Sequence, residues 1–167
     1  TVEPAAAADE RGRRLLYMAA EHLSLPLVKL LLERGVPPGD EEARAGGWQP
    51  VDQAVWYGWP LGGHRWGENN RLVVEYLIDN GAAHDLWTLA GLGDLERIVN
   101  WCARHPSALH SFARGQEWMI RAPLGIAAWN GHDEVVRWLL EQGANPNGSP
   151  SPSAPNDEFG SAVIFAE

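Results

Sequence analysis

"RAPLGIAAWNGHDEVVRWLLEQGANPN", Arg121 to Asn147, is the stretch whose reading decides the fold. It opens on Pro123-Leu124, continues through the pair Ala127-Ala128, and reaches Gly131 three residues later. An acidic start, Asp133-Glu134, then leads into Val135, Val136, Leu139 and Leu140, and Gly143-Ala144 follow. The spacing i, i+1, i+4, i+5 puts these apolar residues on one face of a helix. Acidic residues at its start suit the helix dipole. Gly143 stands where a helix end calls for left-handed backbone. The stretch therefore predicts helix, glycine turn, helix.

The same frame recurs. "RLLYMAAEHLSLPLVKLLLERGV", Arg14 to Val36, aligns without a gap. Leu16 falls on Leu124, Ala19-Ala20 on Ala127-Ala128, Leu31-Leu32 on Leu139-Leu140 and Gly35 on Gly143. "QPVDQAVWYG" from Gln49, rejoined at "NNRLVVEYLIDNGAA", places Pro50 on Pro123, Val73-Val74 on Val135-Val136 and Gly81-Ala82 on Gly143-Ala144. "DLWTLAGLGDLERIVNWCARHPSAL" from Asp85 sets Leu89-Ala90 on the alanine pair and Gly93 on Gly131. A further partial copy starts at "EFGSAVIFAE". The expected units are 14–36, 49–82, 85–109 and 121–145, with a partial unit at 158–167.

One such hairpin cannot bury its apolar face alone, so the units must stack. The period of roughly 33 residues and the Pro-Leu-x-x-Ala helix start resemble the ankyrin repeat. The resemblance is near-consensus over "APLGIAAWNGHDEVVRWLLEQGANPN" and looser in the other copies. It implies an all-α ankyrin-repeat solenoid, a single domain over residues 1–167, that works as a binding scaffold through a concave face.

Composition agrees with a globular chain. Apolar residues make up 45% of the 167, enough for a core. No run of about 18 apolar residues predicts a membrane span. "TVEPAAAADERGRR" lacks the apolar stretch of a signal peptide. The net charge of −9 repels phosphate backbones and argues against nucleic acid as a partner. Arg11, Arg13 and Arg14 read as a solvated helix start. One cysteine, Cys102, forms no intrachain disulfide, and a reduced, cytoplasmic setting is expected. Nine tryptophans are unusual, because this side chain is enriched at binding surfaces.

Two departures from the frame carry information. "WPLGGHRWGE", Trp59 to Glu68, interrupts the second unit between its helices and reads as a loop. "ARHPSALHSFARGQEWMIRA" extends the third unit, with Pro106 stopping its helix. "NPNGSPSPSAPNDEFG" reads as a linker rich in Ser, Pro, Asn and Gly.

By the resemblance, the residues before each turn glycine and before each first helix line the groove. These are Trp48, Trp56 and Tyr57 in the second unit, and Trp118, Arg121, Trp129 and Asn130 in the fourth. Trp59 and Trp66 of the insertion are expected to close over them. Trp101 and Trp138, on second helices, read as core between units. The expected partner is another protein or a peptide with an apolar anchor, and aromatic anchors are worth about 2 kcal/mol or more each. The alternative is a small enzyme or receptor holding an apolar metabolite in an aromatic pocket, with Asp52, His64 and Arg121 as polar actors. An apolar surround would raise the pKa of such an Asp. No cofactor is implied, and the histidines show no metal-ligand spacing. Cys102 falls on Leu32, Ile78 and Leu140 in the frame, a core place rather than that of a nucleophile. His132, after the turn Gly131, is expected to hydrogen-bond backbone between units.

Overall fold

The computed structural model describes residues 10–39, 48–56, 66–110 and 122–146, and among these every regular element is helical. The chain divides into two compact units, Thr1–His84 and Asp85–Glu167.

The first unit holds α1 (Glu10–Glu21), α2 (Leu25–Glu33), α3 (Pro50–Trp56) and α4 (Glu68–Asp79). α1 packs on α2 and α3, α2 on α4, and α3 on α4. Leu16, Ala20, Val28, Val51, Ala54, Val55, Val73, Val74 and Leu77 are fully buried between them. Glu68, which the sequence frame placed in the insertion, is the first residue of α4. The insertion residues 59–65 lie outside the described residues.

The second unit holds α5 (Leu86–Leu92), α6 (Leu95–Arg104), a 3-10 turn (Pro106–His110), α7 (Pro123–Trp129) and α8 (Asp133–Glu141). α5 packs on α6 and α7, and α7 on α8. Leu86, Leu89, Ala90, Ile98, Leu124, Ile126, Ala127, Val135 and Leu139 form its core. α6 ends at Arg104, and His105 is already non-helical, as the following Pro106 demands. The linker from residue 147 and the partial unit 158–167 lie outside the described residues.

The repeat frame is visible in the backbone hydrogen bonds. His132 N donates to Ala127 O at 2.9 Å and Gly131 N to Ala128 O at 3.1 Å. The same pair closes the first hairpin, where Ser24 N meets Ala19 O at 2.9 Å and Leu23 N meets Ala20 O at 3.0 Å. In the third it runs Asp94 N to Leu89 O at 3.4 Å and Gly93 N to Ala90 O at 3.2 Å. This pairing is the Schellman closure of a helix, and it requires one residue in left-handed backbone. Gly131 (φ 76°) and Gly93 (φ 80°) meet that requirement without strain. At the first hairpin a leucine does so instead: Leu23, at φ 50°, is the one non-glycine residue with positive φ among the described residues.

Candidate functional site

The residues expected to bind a partner fall into different environments. In the first unit, Trp48 precedes α3 and is half-buried, while Trp56, the last residue of α3, is only 8% exposed. Their rings meet edge to face, with centroids 6.2 Å apart and planes at 85°. This geometry sets the positive rim of one ring against the negative face of the other. Trp56 thus packs within the protein, and Trp48 keeps part of its ring at the surface. Trp66, ahead of α4, is also half-buried. Tyr57, Trp59 and His64 lie outside the described residues.

Asp52 is buried on α3, and its environment explains why. Its Oδ2 accepts from the backbone N–H of Gln49 at 3.0 Å. Gln49 directly precedes the helix and Asp52 is its third residue, so the carboxylate satisfies a helix-start donor as in a capping box. Pro50 at the first helical position completes this start signal. On the neighbouring α1, the Tyr17 hydroxyl donates to Gln53 Oε1 at 2.7 Å. Burial raises the Tyr17 pKa above its ordinary 10.0, and the Glu21 and Asp52 carboxylates raise it further. Asn70, buried on α4, accepts from Gly67 N at 3.1 Å and donates to Ala54 O at 3.0 Å, which ties α4 to α3.

In the second unit, Trp129 is the last residue of α7 and half-buried. Asn130 next to it is engaged by the protein itself: its Nδ2 donates to Gly91 O at 2.8 Å. His132 Nε2 reaches the same carbonyl at 2.8 Å. A carbonyl only accepts, so the His132 ring carries its proton on Nε2. Two side chains of one hairpin thus satisfy an end-of-helix carbonyl of the hairpin before it, a group that helix geometry leaves without an intrahelical donor. Burial lowers the His132 pKa, while the Gly91 carbonyl and Asp133 act the other way. Trp118 and Arg121 lie outside the described residues.

Three further tryptophans differ in burial, and two of them, Trp101 and Trp138, are not the core residues the repeat frame expects. Trp87, on the first helix of its hairpin, is the largest fully buried side chain, at 1% exposure. Trp101 is half-buried rather than core, with the His105 ring 4.9 Å from its own and the Arg104 guanidinium 6.0 Å away. Trp138 is half-buried as well. Burial pushes the Cys102 thiol up, which disfavours the thiolate a nucleophile needs. Among the described residues no three His, Cys, Asp or Glu side chains cluster to hold a metal. No helix among them is long and apolar enough to cross a membrane.

No curated protein matches the chain. The family model of the ankyrin repeat matches residues 121–149, the segment that forms α7 and α8, and with the helical hairpins before it the fold is all-α and of the ankyrin-repeat type.

Proposed function

We propose that the protein is a cytoplasmic protein-binding module whose partner seats an apolar anchor against tryptophans at the finger and turn positions. The observation that carries this is the ankyrin-repeat match over residues 121–149, because arrays of this type serve as binding scaffolds. Trp48 and Trp66 of the first unit and Trp129 of the second support the aromatic part of the reading, since each keeps part of its ring exposed. Tyr57, Trp59, Trp118 and Arg121 take their place in it from the sequence frame. A single cysteine fits the reducing compartment. The large rings supply contact area at small entropic cost.

The test is a pull-down from cell extract that compares the wild type with Trp48→Ala/Trp129→Ala. These half-exposed rings are better probes than Trp56, whose removal would empty core space and cost about 3–5 kcal/mol. Loss of a specific partner with unchanged far-UV circular dichroism is expected. Retention of every partner by the double variant would overturn the assignment of these tryptophans to binding.

A further inference from the structure

Between α1 and α3 the first unit sets two carboxylates among three aromatic rings. On α1, Arg13, Tyr17 and Glu21 stand at i, i+4 and i+8, so they share one face. This face is neither the core side of Leu16, Ala19 and Ala20, which are buried, nor the side of Leu15 and Met18. Trp48, Asp52 and Trp56 keep the same spacing into and along α3, and the 6.2 Å contact between the two indoles brings the ends of that row together.

The two rows belong together. The repeat frame sets Tyr17 on Asp52 and Glu21 on Trp56. α1 packs on α3, and the Tyr17 hydroxyl donates to Gln53, beside Asp52, at 2.7 Å. Asp52 and Trp56 are buried, whereas Tyr17, Glu21, Trp48 and Gln53 are half-buried and each keeps part of its surface in solvent.

The potential over these rings is negative. After burial, the Glu21 and Asp52 carboxylates are what push the Tyr17 pKa up, the effect of negative charge close to its hydroxyl. Arg13 opens the row two turns from Glu21, about 12 Å along the axis, farther than the Debye length of about 8 Å at physiological salt. The net charge of −9 extends the same sign over the chain and draws a basic partner.

Negative potential beside aromatic rings is the setting for an organic cation. An inorganic cation takes more oxygen ligands than two carboxylates supply, and among the described residues no three His, Cys, Asp or Glu side chains cluster. A purely apolar anchor would strip water from Glu21 without pairing it. An arginine meets each part of the surface. Its guanidinium stacks on an indole, forks onto a carboxylate and is more weakly hydrated than an ammonium, while its stem covers apolar surface.

We propose that the partner's anchor in the first unit is an arginine side chain, its guanidinium paired with Glu21 and its stem laid along the exposed part of the Trp48 ring. The inference rests on the reading of Trp48 as a binding residue, and adds that the apolar stem seated there ends in a cation.

The experiment titrates the full chain with N-acetyl-arginine amide, N-acetyl-citrulline amide and N-acetyl-leucine amide. The indole N–H resonance of Trp48, identified with Trp48→Phe, is followed by NMR. Citrulline keeps the shape of arginine and removes its charge. The arginine probe should shift the resonance saturably with a Kd of about millimolar order, as fits one side chain, and the other two should bind at least about tenfold more weakly. Glu21→Gln, which keeps the size of the side chain, should bring the arginine and citrulline probes level, with circular dichroism and melting confirming the fold. No shift with arginine, equal shifts with arginine and citrulline, or an arginine preference that survives Glu21→Gln overturns the proposal. A leucine probe that binds best also overturns it, while leaving Trp48 as an apolar binding site. Failure of the binding reading itself is told apart by the pull-down, in which Trp48→Ala/Trp129→Ala would then retain every partner.

Discussion

Gly93 and Gly131 occupy the same place in successive hairpins, at φ 80° and 76°, yet their surroundings differ. A Cβ on Gly131 would meet nothing within 4 Å, whereas a Cβ on Gly93 would stand 2.6 Å from Nδ1 of His132 and 2.7 Å from its Cε1. Alanine at either place bears the left-handed backbone cost of about 1–2 kcal/mol. At Gly131 that is the whole effect. At Gly93 the imidazole must also move, and overpacking of this kind costs about 1–3 kcal/mol. Moving the ring lengthens the 2.8 Å bond from Nε2 to Gly91 O, which is worth about another 1 kcal/mol. Gly93→Ala is therefore expected to cost about 3–6 kcal/mol and Gly131→Ala about 1–2. The assay is urea unfolding followed by far-UV circular dichroism, run in the wild-type and His132→Ala backgrounds. Without the ring, the Gly93→Ala penalty should fall to that of Gly131→Ala, and the cycle isolates the contact. Equal penalties for the two glycines, or a Gly93→Ala penalty that His132→Ala leaves unchanged, would refute the reasoning.

Leu23→Gly should stabilise the first unit by about 1 kcal/mol, because it relieves the only left-handed non-glycine backbone among the described residues; a lowered melting temperature would contradict this. Stability should decline on acidification through His132. Its folded pKa lies below the unfolded value of 6.5, so the unfolded chain takes the proton first as pH falls. The contribution is complete above the unfolded pKa and is lost as pH falls through the folded one; His132→Gln should flatten the melting temperature between about pH 7 and pH 5, and an unchanged slope would count against the buried neutral ring. Asp52→Ala should cost about 1 kcal/mol by freeing the Gln49 N–H, with Asp52→Asn recovering part of it; identical urea midpoints for both variants and the wild type would rule out the helix-start role.

The hairpins were legible in the sequence because their closure restricts residue type. Left-handed backbone selects glycine, so Gly93, Gly131 and Gly143 mark the frame. Leu23 breaks that rule, and the first hairpin was still found through Leu16 and the pair Ala19-Ala20, whose small side chains are all buried with it. Asp52 also carries a readable signal, an acid two residues after a proline at the helix start. Asn130 had none. Its partner is a carbonyl 39 residues earlier, and no local spacing encodes such a bond. The tryptophans were the least legible. Hydrophobic pattern puts Trp87 and Trp129 on equivalent first helices, yet one is sealed and the other half-exposed. In the frame Trp87 falls on Gly125 and Trp129 on Gly91, so the two rings leave their helices at different places.

Dependence on a neighbour separates what a repeat frame can predict from what it cannot. Turn and alanine positions answer to constraints inside one hairpin, so any copy can be read alone. Stacking positions answer to the hairpin next door: Val73 is buried on α4, which packs on α2 of the hairpin before, and Leu27 at the same place is half exposed. Apolar character at a stacking position therefore predicts burial only where a neighbour exists. Leu15, Met18, Leu27 and Leu30 keep that character without a covering neighbour among the described residues.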